Sequence, residues 1–228
     1  MRTIKHNVDL CVVGGGLAGM CAAISAARHG IKVLLMHDRP VLGGNASSEI
    51  RMWVCGARGP DKKETGIIEE IMLENLYRNP NAVYSIWDSI LYEKVRFEEN
   101  ITMLLNCSCL DAQMEGNNIK SIKGWQLTTE TWHIVEAKLF ADCSGDSILA
   151  PLTGAEFRIG REASSEYNES IEPEVADKKT MGLSCLLQAR ETDRPQKFIP
   201  PSWAYKYLTD DELPQRGHLI KNTNFWWI

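Results

Sequence analysis

Val8-Asp9-Leu10-Cys11-Val12-Val13-Gly14-Gly15-Gly16-Leu17-Ala18-Gly19 is the stretch that decides the fold. Val8 to Val13 is a short apolar, β-branched run and reads as a buried parallel strand. It ends on glycines at G-x-G-x-x-G spacing. Leu17 to His29 follows, rich in alanine and closed by Gly30, as a helix with a glycine cap. Ile31 to Met36 is a second buried strand. A βαβ unit with this turn holds a dinucleotide by its pyrophosphate. Gly14 permits the tight turn, Gly16 lets backbone approach phosphate without a Cβ in the way, and Gly19 lets helix and strand lie close. The free N–H groups of the helix start, at Leu17, Ala18 and Gly19, complete the cradle. The spacing alone is a weak signal, and its strand–turn–helix–strand setting makes it specific.

Beyond the second strand a carboxylate is expected to bind the adenosine ribose. Counted from Gly19, that position falls on His37, with Asp38 next. Asp38 serves if the strand is shifted by one residue; otherwise His37 makes a single hydrogen bond. Asp38 is preferred. Arg39, the arginine placed to meet a 2′-phosphate, is expected to be solvated. Two further segments belong to the same groove. Leu42-Gly43-Gly44-Asn45-Ala46-Ser47-Ser48-Glu49 has a glycine pair that lets backbone pass close to a long ligand. Phe140-Ala141-Asp142-Cys143-Ser144-Gly145-Asp146 is a strand breaking into small residues that can lie against a cofactor.

The rest of the chain frames these motifs. Its 228 residues, 44% hydrophobic and 24% charged, suit a folded domain with a sizeable core. A formal charge of -5 without a Lys/Arg cluster argues against nucleic acid or an anionic membrane as partner. No apolar run reaches the ~18 residues of a membrane span, and no secretion signal precedes Val8. Seven scattered cysteines point to reduced thiols in a cytoplasmic protein. Cys107 and Cys109 read as small core side chains, and no second pair completes a zinc site, so no metal is expected. Helices are predicted over Thr65 to Arg78 and Ala82 to Phe97. Strands are predicted over Ile101 to Gln113, Ile119 to Thr128 and Thr131 to Asp142, forming an antiparallel meander before a buried return strand at Lys138 to Asp142.

The fold class is therefore α/β: a Rossmann-like domain over 1–155 with a parallel sheet and an inserted β-meander at about 101–137. Residues 156–228 are expected to be part of a substrate domain. In this order the three motifs resemble the FAD-dependent oxidoreductases of the glutathione-reductase-like superfamily. The run from Asp38 to Arg51 looks like a broad bacterial branch of them, and Asp-Cys-Ser-Gly-Asp is similar to the superfamily's Ala-Thr-Gly-Asp motif. The resemblance covers Val8 to Ala155 well.

It implies FAD as cofactor, with Gly14, Gly16 and Gly19 on the pyrophosphate and Asp38 on the ribose. Gly43, Gly44, Asn45 and Ser47 would line the path toward the isoalloxazine, and Gly145 and Asp146 would sit near the cofactor at the crossover. The paired cysteines of disulfide reductases are absent after the Gly-Gly loop, where Cys55 stands alone. The family's final Gly-Asp segment has no counterpart before Ile228, so a truncated member with weak or absent FAD binding is expected.

Catalytic candidates should follow Gly44, since that loop leads to the reactive ring. Ser48, Glu49 and Arg51 qualify, Arg51 by orienting an anionic substrate or by pairing with Glu49 as a structural salt bridge. His133 reads as structural, and Phe225-Trp226-Trp227 as a core or stacking cluster. The leading reading is hydride transfer between a small organic substrate and flavin N5. A non-redox FAD or nucleotide-binding scaffold and an NAD-dependent dehydrogenase are the alternatives. A homo-oligomer stays open.

Overall fold

The computed structural model describes residues 2–57, 60, 63–181, 192–197 and 199–212. The chain divides into two compact units, Met1–Ser184 and Cys185–Ile228, and the elements that matter here lie in the first. Strands β1 (Arg2–Val13), β2 (Val33–Met36), β3 (Ile101–Leu104), β4 (Cys107–Glu115), β5 (Asn118–Gln126) and β6 (Thr131–Asp142) form one sheet. Its order is β3-β2-β1-β6-β5-β4. The first four are mutually parallel, and β5 and β4 continue the sheet antiparallel. The helices are α1 (Leu17–Arg28), α2 (Gly66–Arg78) and α3 (Tyr84–Arg96), with two short turns, α4 (Leu149–Thr153) and α5 (Ser164–Tyr167).

The period of two in β1 and β2 sorts their side chains into two apolar layers. Val12, Val33 and Leu35 face the helices and pack with Met20, Ala23 and Ile24 of α1, Ile71 of α2 and Ile90, Leu91 and Val95 of α3. Cys11, Val13, Leu34 and Met36 face the other way, toward Cys107, Cys109, Ile122, Val135 and Leu149. Both faces of the parallel strands are thus covered, which is why they read as continuous apolar runs. α1 ends as its sequence predicts: Gly30, at φ 80°, turns the chain while Ile31 N–H donates to Ala26 O at 3.1 Å. On the solvent side, Arg28 of α1 and Lys94 of α3 both pair with Glu70 of α2, and these hydrogen bonds hold the Glu70 carboxyl down at about 2.

Three expectations are corrected. β1 begins at Arg2, not Val8, because Arg2 to Asn7 pair with Thr131 to Glu136 of β6 and need no apolar pattern to do so. The predicted strand Ile101 to Gln113 is two: β3 pairs parallel with β2, and β4 pairs antiparallel with β5. The strand predicted over Thr131 to Asp142 stands as β6, which runs unbroken from the meander into the return segment. Its end is also less buried than expected, with Leu139 68% exposed, because β5 pairs with β6 only as far as Glu136. The predicted helices stand at Gly66–Arg78 and Tyr84–Arg96. Between them Asn79, buried, accepts from Val83 N–H at 2.7 Å and donates to Val83 O at 2.9 Å.

Candidate nucleotide-binding site

The C-terminal ends of β1, β2 and β6 lie side by side, with Val13 opposite Met36 on one flank and Asp142 on the other. In an open α/β sheet this is the switch point where ligands bind, because β2 and β3 lie on one side of β1 and the later strands, β6, β5 and β4, on the other. Three loops meet there. Gly14 N–H donates to Met36 O at 2.8 Å, and Cys143 N–H donates to Val13 O at 2.7 Å, which ties the first turn to both neighbours. Gly14 sits at φ 108°, and a Cβ on it would overlap the Cys143 carbonyl. A Cβ on Gly19 would overlap the Gly14 carbonyl. Gly16 differs: a Cβ there would meet nothing nearer than Gly44 Cα at 4.0 Å. Gly14 and Gly19 are glycines for packing, while Gly16 leaves an opening.

That opening faces the start of α1. No side chain caps this helix and its first turn carries no acid, so the dipole and N–H groups of Leu17, Ala18 and Gly19 are not neutralised by the chain. This is a cradle for an anionic group. The second loop closes against it. Gly43 N–H donates to Gly15 O at 2.8 Å, Gly16 and Gly43 form an isolated parallel bridge, and a Cβ on Gly44 would lie 3.1 Å from Gly16 Cα. Gly43 and Gly44 both have positive φ, 105° and 57°. Two glycine loops distant in sequence therefore make one backbone-lined groove.

His37 and Asp38 separate cleanly. The His37 ring is buried; its Nδ1 accepts from Gly15 N–H at 2.9 Å and its Nε2–H donates to Val41 O at 3.0 Å. Both nitrogens are thus spent on the two loops, and the pair of bonds requires the neutral ring. Burial pushes its pKa below the ordinary value, with Asp38 working the other way. His37 is a strut of the turn and has no nitrogen left for a ribose. Asp38, 62% exposed, lies at the rim with its Oδ1 3.4 Å from His37 Nδ1. Arg39 is not simply solvated: it pairs with Glu49 at 3.1 Å, so the alternative pairing of Glu49 with Arg51 is not formed. Arg51 Nε–H instead donates to Ser48 O at 3.1 Å, and its guanidinium lies over Tyr84, 5.3 Å from the ring centre. Ser47 is fully buried and donates to Gly44 O at 2.7 Å.

The third loop is organised by a residue the motif reading passed over. Asp142 Oδ1 accepts from the Ser144 hydroxyl at 2.6 Å and from Ser144 N–H at 3.0 Å, while Oδ2 accepts from Leu149 N–H at 2.7 Å. Gly145, at φ 85°, and Asp146 are then presented on the exposed outside of the turn. The Asp-x-Ser pattern was the available signal for such a turn.

Between the first turn, the end of β2, the start of β4 and the third loop lies a cavity of about 260 Å³, lined among others by Gly14, Asp38, Cys107, Ser108, Ser144 and Asp146. Cys107 and Cys109 were expected as core residues, and they are buried. They also form this cavity's floor, which nothing in the local pattern of β4 announces. Burial holds their thiols protonated, pushed up to about 12 for Cys107 and about 11 for Cys109. Thiolate chemistry is accordingly disfavoured there. His133 is structural, its Nδ1 2.8 Å from His6 Nε2. Phe225, Trp226 and Trp227 lie outside the described residues.

A glycine cradle at an uncapped helix start, an exposed carboxylate at the second strand end and a second glycine loop fit a long dinucleotide. The profile of the FAD dependent oxidoreductase family matches residues 9–222, and the chain belongs to that family. Glycerol-3-phosphate dehydrogenase 2 of Mycobacterium bovis is 35% identical over 73 residues, which is 32% of this chain and 12% of that protein. The fumarate reductase (cytochrome) of Shewanella frigidimarina is 59% identical over 47 residues, 20% of this chain and 8% of the relative. The matches thus span about a tenth of these relatives' own lengths. A solved glycerol-3-phosphate dehydrogenase from Bacillus halodurans, complexed with FAD, superposes at a TM-score of 0.43 with 14% identity, over 64% of this chain and 36% of that one. Among the described residues no helix is long and apolar enough to cross a membrane.

Proposed function

We propose that this chain carries the cofactor-holding part of an oxidoreductase that moves hydride between a small organic substrate and N5 of FAD. The observation that supports this most is the contact of Gly16 with Gly43 and Gly44, which extends the groove beyond the pyrophosphate cradle. A dehydrogenase with one nicotinamide-binding turn has no need of that extension. When bound, FAD supplies the two-electron chemistry, and the protein supplies position and electrostatics.

In this reading Gly14, Gly16 and the N–H groups of Leu17, Ala18 and Gly19 hold the pyrophosphate. Asp38 takes the adenosine ribose, with Asp146 across the same cavity and Gly145 shaping the crossover. Gly43, Gly44, Asn45 and Ser47 line the way to the flavin ring. Arg51 orients an anionic substrate; Glu49, occupied by Arg39, and Ser48 are the weaker candidates. By their names the two relatives above act on glycerol 3-phosphate and on fumarate, and a small anion is the substrate class proposed here. Residues 156–228 are proposed to begin the substrate-binding region.

FAD titrated into the chain, followed by flavin fluorescence, is expected to bind saturably but weakly. Asp38→Asn is expected to weaken FAD about tenfold, the scale of one charge-assisted hydrogen bond, at an unchanged unfolding midpoint. Anaerobic bleaching of the bound flavin by small anionic reductants then distinguishes an enzyme from a scaffold. Tight NAD binding without FAD binding overturns the reading.

A further inference from the structure

The loop from Gly43 to Met52 has little secondary structure of its own, yet it is tied to the rest of the fold at regular intervals. Inside the loop, Arg51 N–H donates to Ser47 O and Met52 N–H to Asn45 O, both at 2.8 Å. Gly43 is tied to Gly15 of the first turn and Glu49 to Arg39, and the ties from outside at Ala46, Ser48 and Arg51 come from α3. Tyr84 O–H donates to Arg51 O at 2.7 Å, Trp87 Nε1–H donates to Ala46 O at 2.7 Å, and Asp88 Oδ1 accepts from Ser48 N–H at 3.0 Å. Leu91, fully buried, lies under the loop's first residue, with its Cδ1 2.6 Å from the place of a Cβ on Gly43.

Positions 84, 87, 88 and 91 are i, i+3, i+4 and i+7, a single stripe of a helix. α3 is itself rigidly seated, since Ile90, Leu91 and Val95 are fully buried against the sheet layer. One helix face thus sets the heights of three peptide groups of the loop, at Ala46, Ser48 and Arg51. It also supports Arg51 in the left-handed region, φ 62°, a conformation of some cost for a side chain of this size. The Tyr84 ring beneath the Arg51 guanidinium fixes the direction of that side chain as well.

We infer that Tyr84, Trp87 and Asp88 are positioning residues for the flavin half of the cofactor and for Arg51, and that they act through the loop without touching the ADP half. This rests on the reading of the Gly43–Ser47 loop as the flavin-side wall. The ADP half depends on the Gly14–Gly19 turn, Asp38 and the crossover, none of which is bonded to this stripe. The stripe therefore separates affinity for the whole dinucleotide from affinity for its ADP portion.

The test is calorimetric titration of the whole chain and three variants with two probes, FAD and ADP. Trp87→Phe removes one donor and keeps an aromatic ring, and Asp88→Leu removes the acceptor. Each is expected to weaken FAD about tenfold, the scale of one lost hydrogen bond, while ADP changes less than about twofold. Asp88→Asn, which retains an acceptor oxygen, is expected to restore FAD affinity to within about threefold of the parent. The visible absorption bands of bound flavin are expected to shift in Trp87→Phe and not in Asp88→Asn. Equal losses for FAD and ADP, or no loss for FAD, overturn the assignment. Failure of the unaltered chain to bind FAD while binding ADP would instead remove the functional reading on which it stands.

Discussion

Two glycine loops meet in the groove, and they are held in opposite ways. The turn Gly14 to Gly19 is held by its own backbone. Its Gly14 amide bonds to the end of β2 and its Gly15 carbonyl to Gly43, and Gly14 and Gly19 are required because other backbone occupies the space of a side chain. The loop Gly43 to Arg51 meets that turn at Gly43 and is otherwise held by side chains from elsewhere, Tyr84, Trp87, Asp88 and Leu91 of α3, about forty residues further on. The first device is steric and local, so a motif of six residues states it in full. The second is a set of directed bonds from a separate helix, and no short motif contains both halves of it. Between them stands His37, whose ring bonds to Gly15 of one loop and Val41 just before the other.

The comparison can be broken most severely at the turn. Gly14→Ala sets a methyl into the Cys143 carbonyl at φ 108°. Strain and overlap together are expected to cost about 4 kcal/mol, with FAD binding lost, as read by urea unfolding and titration. A cost below about 1 kcal/mol would mean that the turn yields, and that its glycines are not steric requirements.

Leu91→Ala attacks the other loop from beneath. Removal of a fully buried leucine is expected to cost about 3 kcal/mol by the same unfolding measurement. The groove should loosen mainly on its Gly43 side, so protection of the Ala46 and Ser48 amides from hydrogen exchange should fall while that of Met20 persists. Equal loss of protection in both loops would show that they are one unit rather than two.

The smallest effect sharpens the role of His37. Burial keeps its folded-state pKa below that of the unfolded chain, so the unfolded chain takes up the proton first. Its contribution is present above about pH 6.5 and is lost as pH falls through the depressed folded value. His6 and His133 are depressed by burial as well and act with the same sign. The measurement is therefore the stability difference between the parent and His37→Gln. That difference is expected to shrink on going from about pH 7.5 to about pH 5.5, by less than about 1.4 kcal/mol per pH unit for a single proton. A difference that stays constant would mean that the ring does not hold the loops as a neutral strut.

Much of this architecture is legible in the residues. The βαβ unit, the two long helices and the meander turn at Gly116 follow from patterns that repeat at short range. The continuous β6 was harder to read. Thr131 to Glu136 alternate as a half-covered antiparallel strand should, while Lys138 to Asp142 resemble a buried one, and the join is made by pairing to β1. Arg2 to Asn7 carry no strand pattern because their partner, not their side chains, makes them a strand.

At the site, sequence alone determined the chemistry: which residues have no Cβ, where a helix begins without a cap, and that a carboxylate follows the second strand. Those are properties of residue type and spacing, and they survive without coordinates. Tertiary structure decided between neighbours of equal promise. It turned His37 inward and left Asp38 exposed, gave Glu49 to Arg39 instead of Arg51, and put Cys107 in the lining of a cavity. It also brought Tyr84, Trp87 and Asp88 to a loop that ends more than thirty positions earlier. Each of these depends on which groups compete for one partner in space, and that competition is settled only when the sheet and helices have packed.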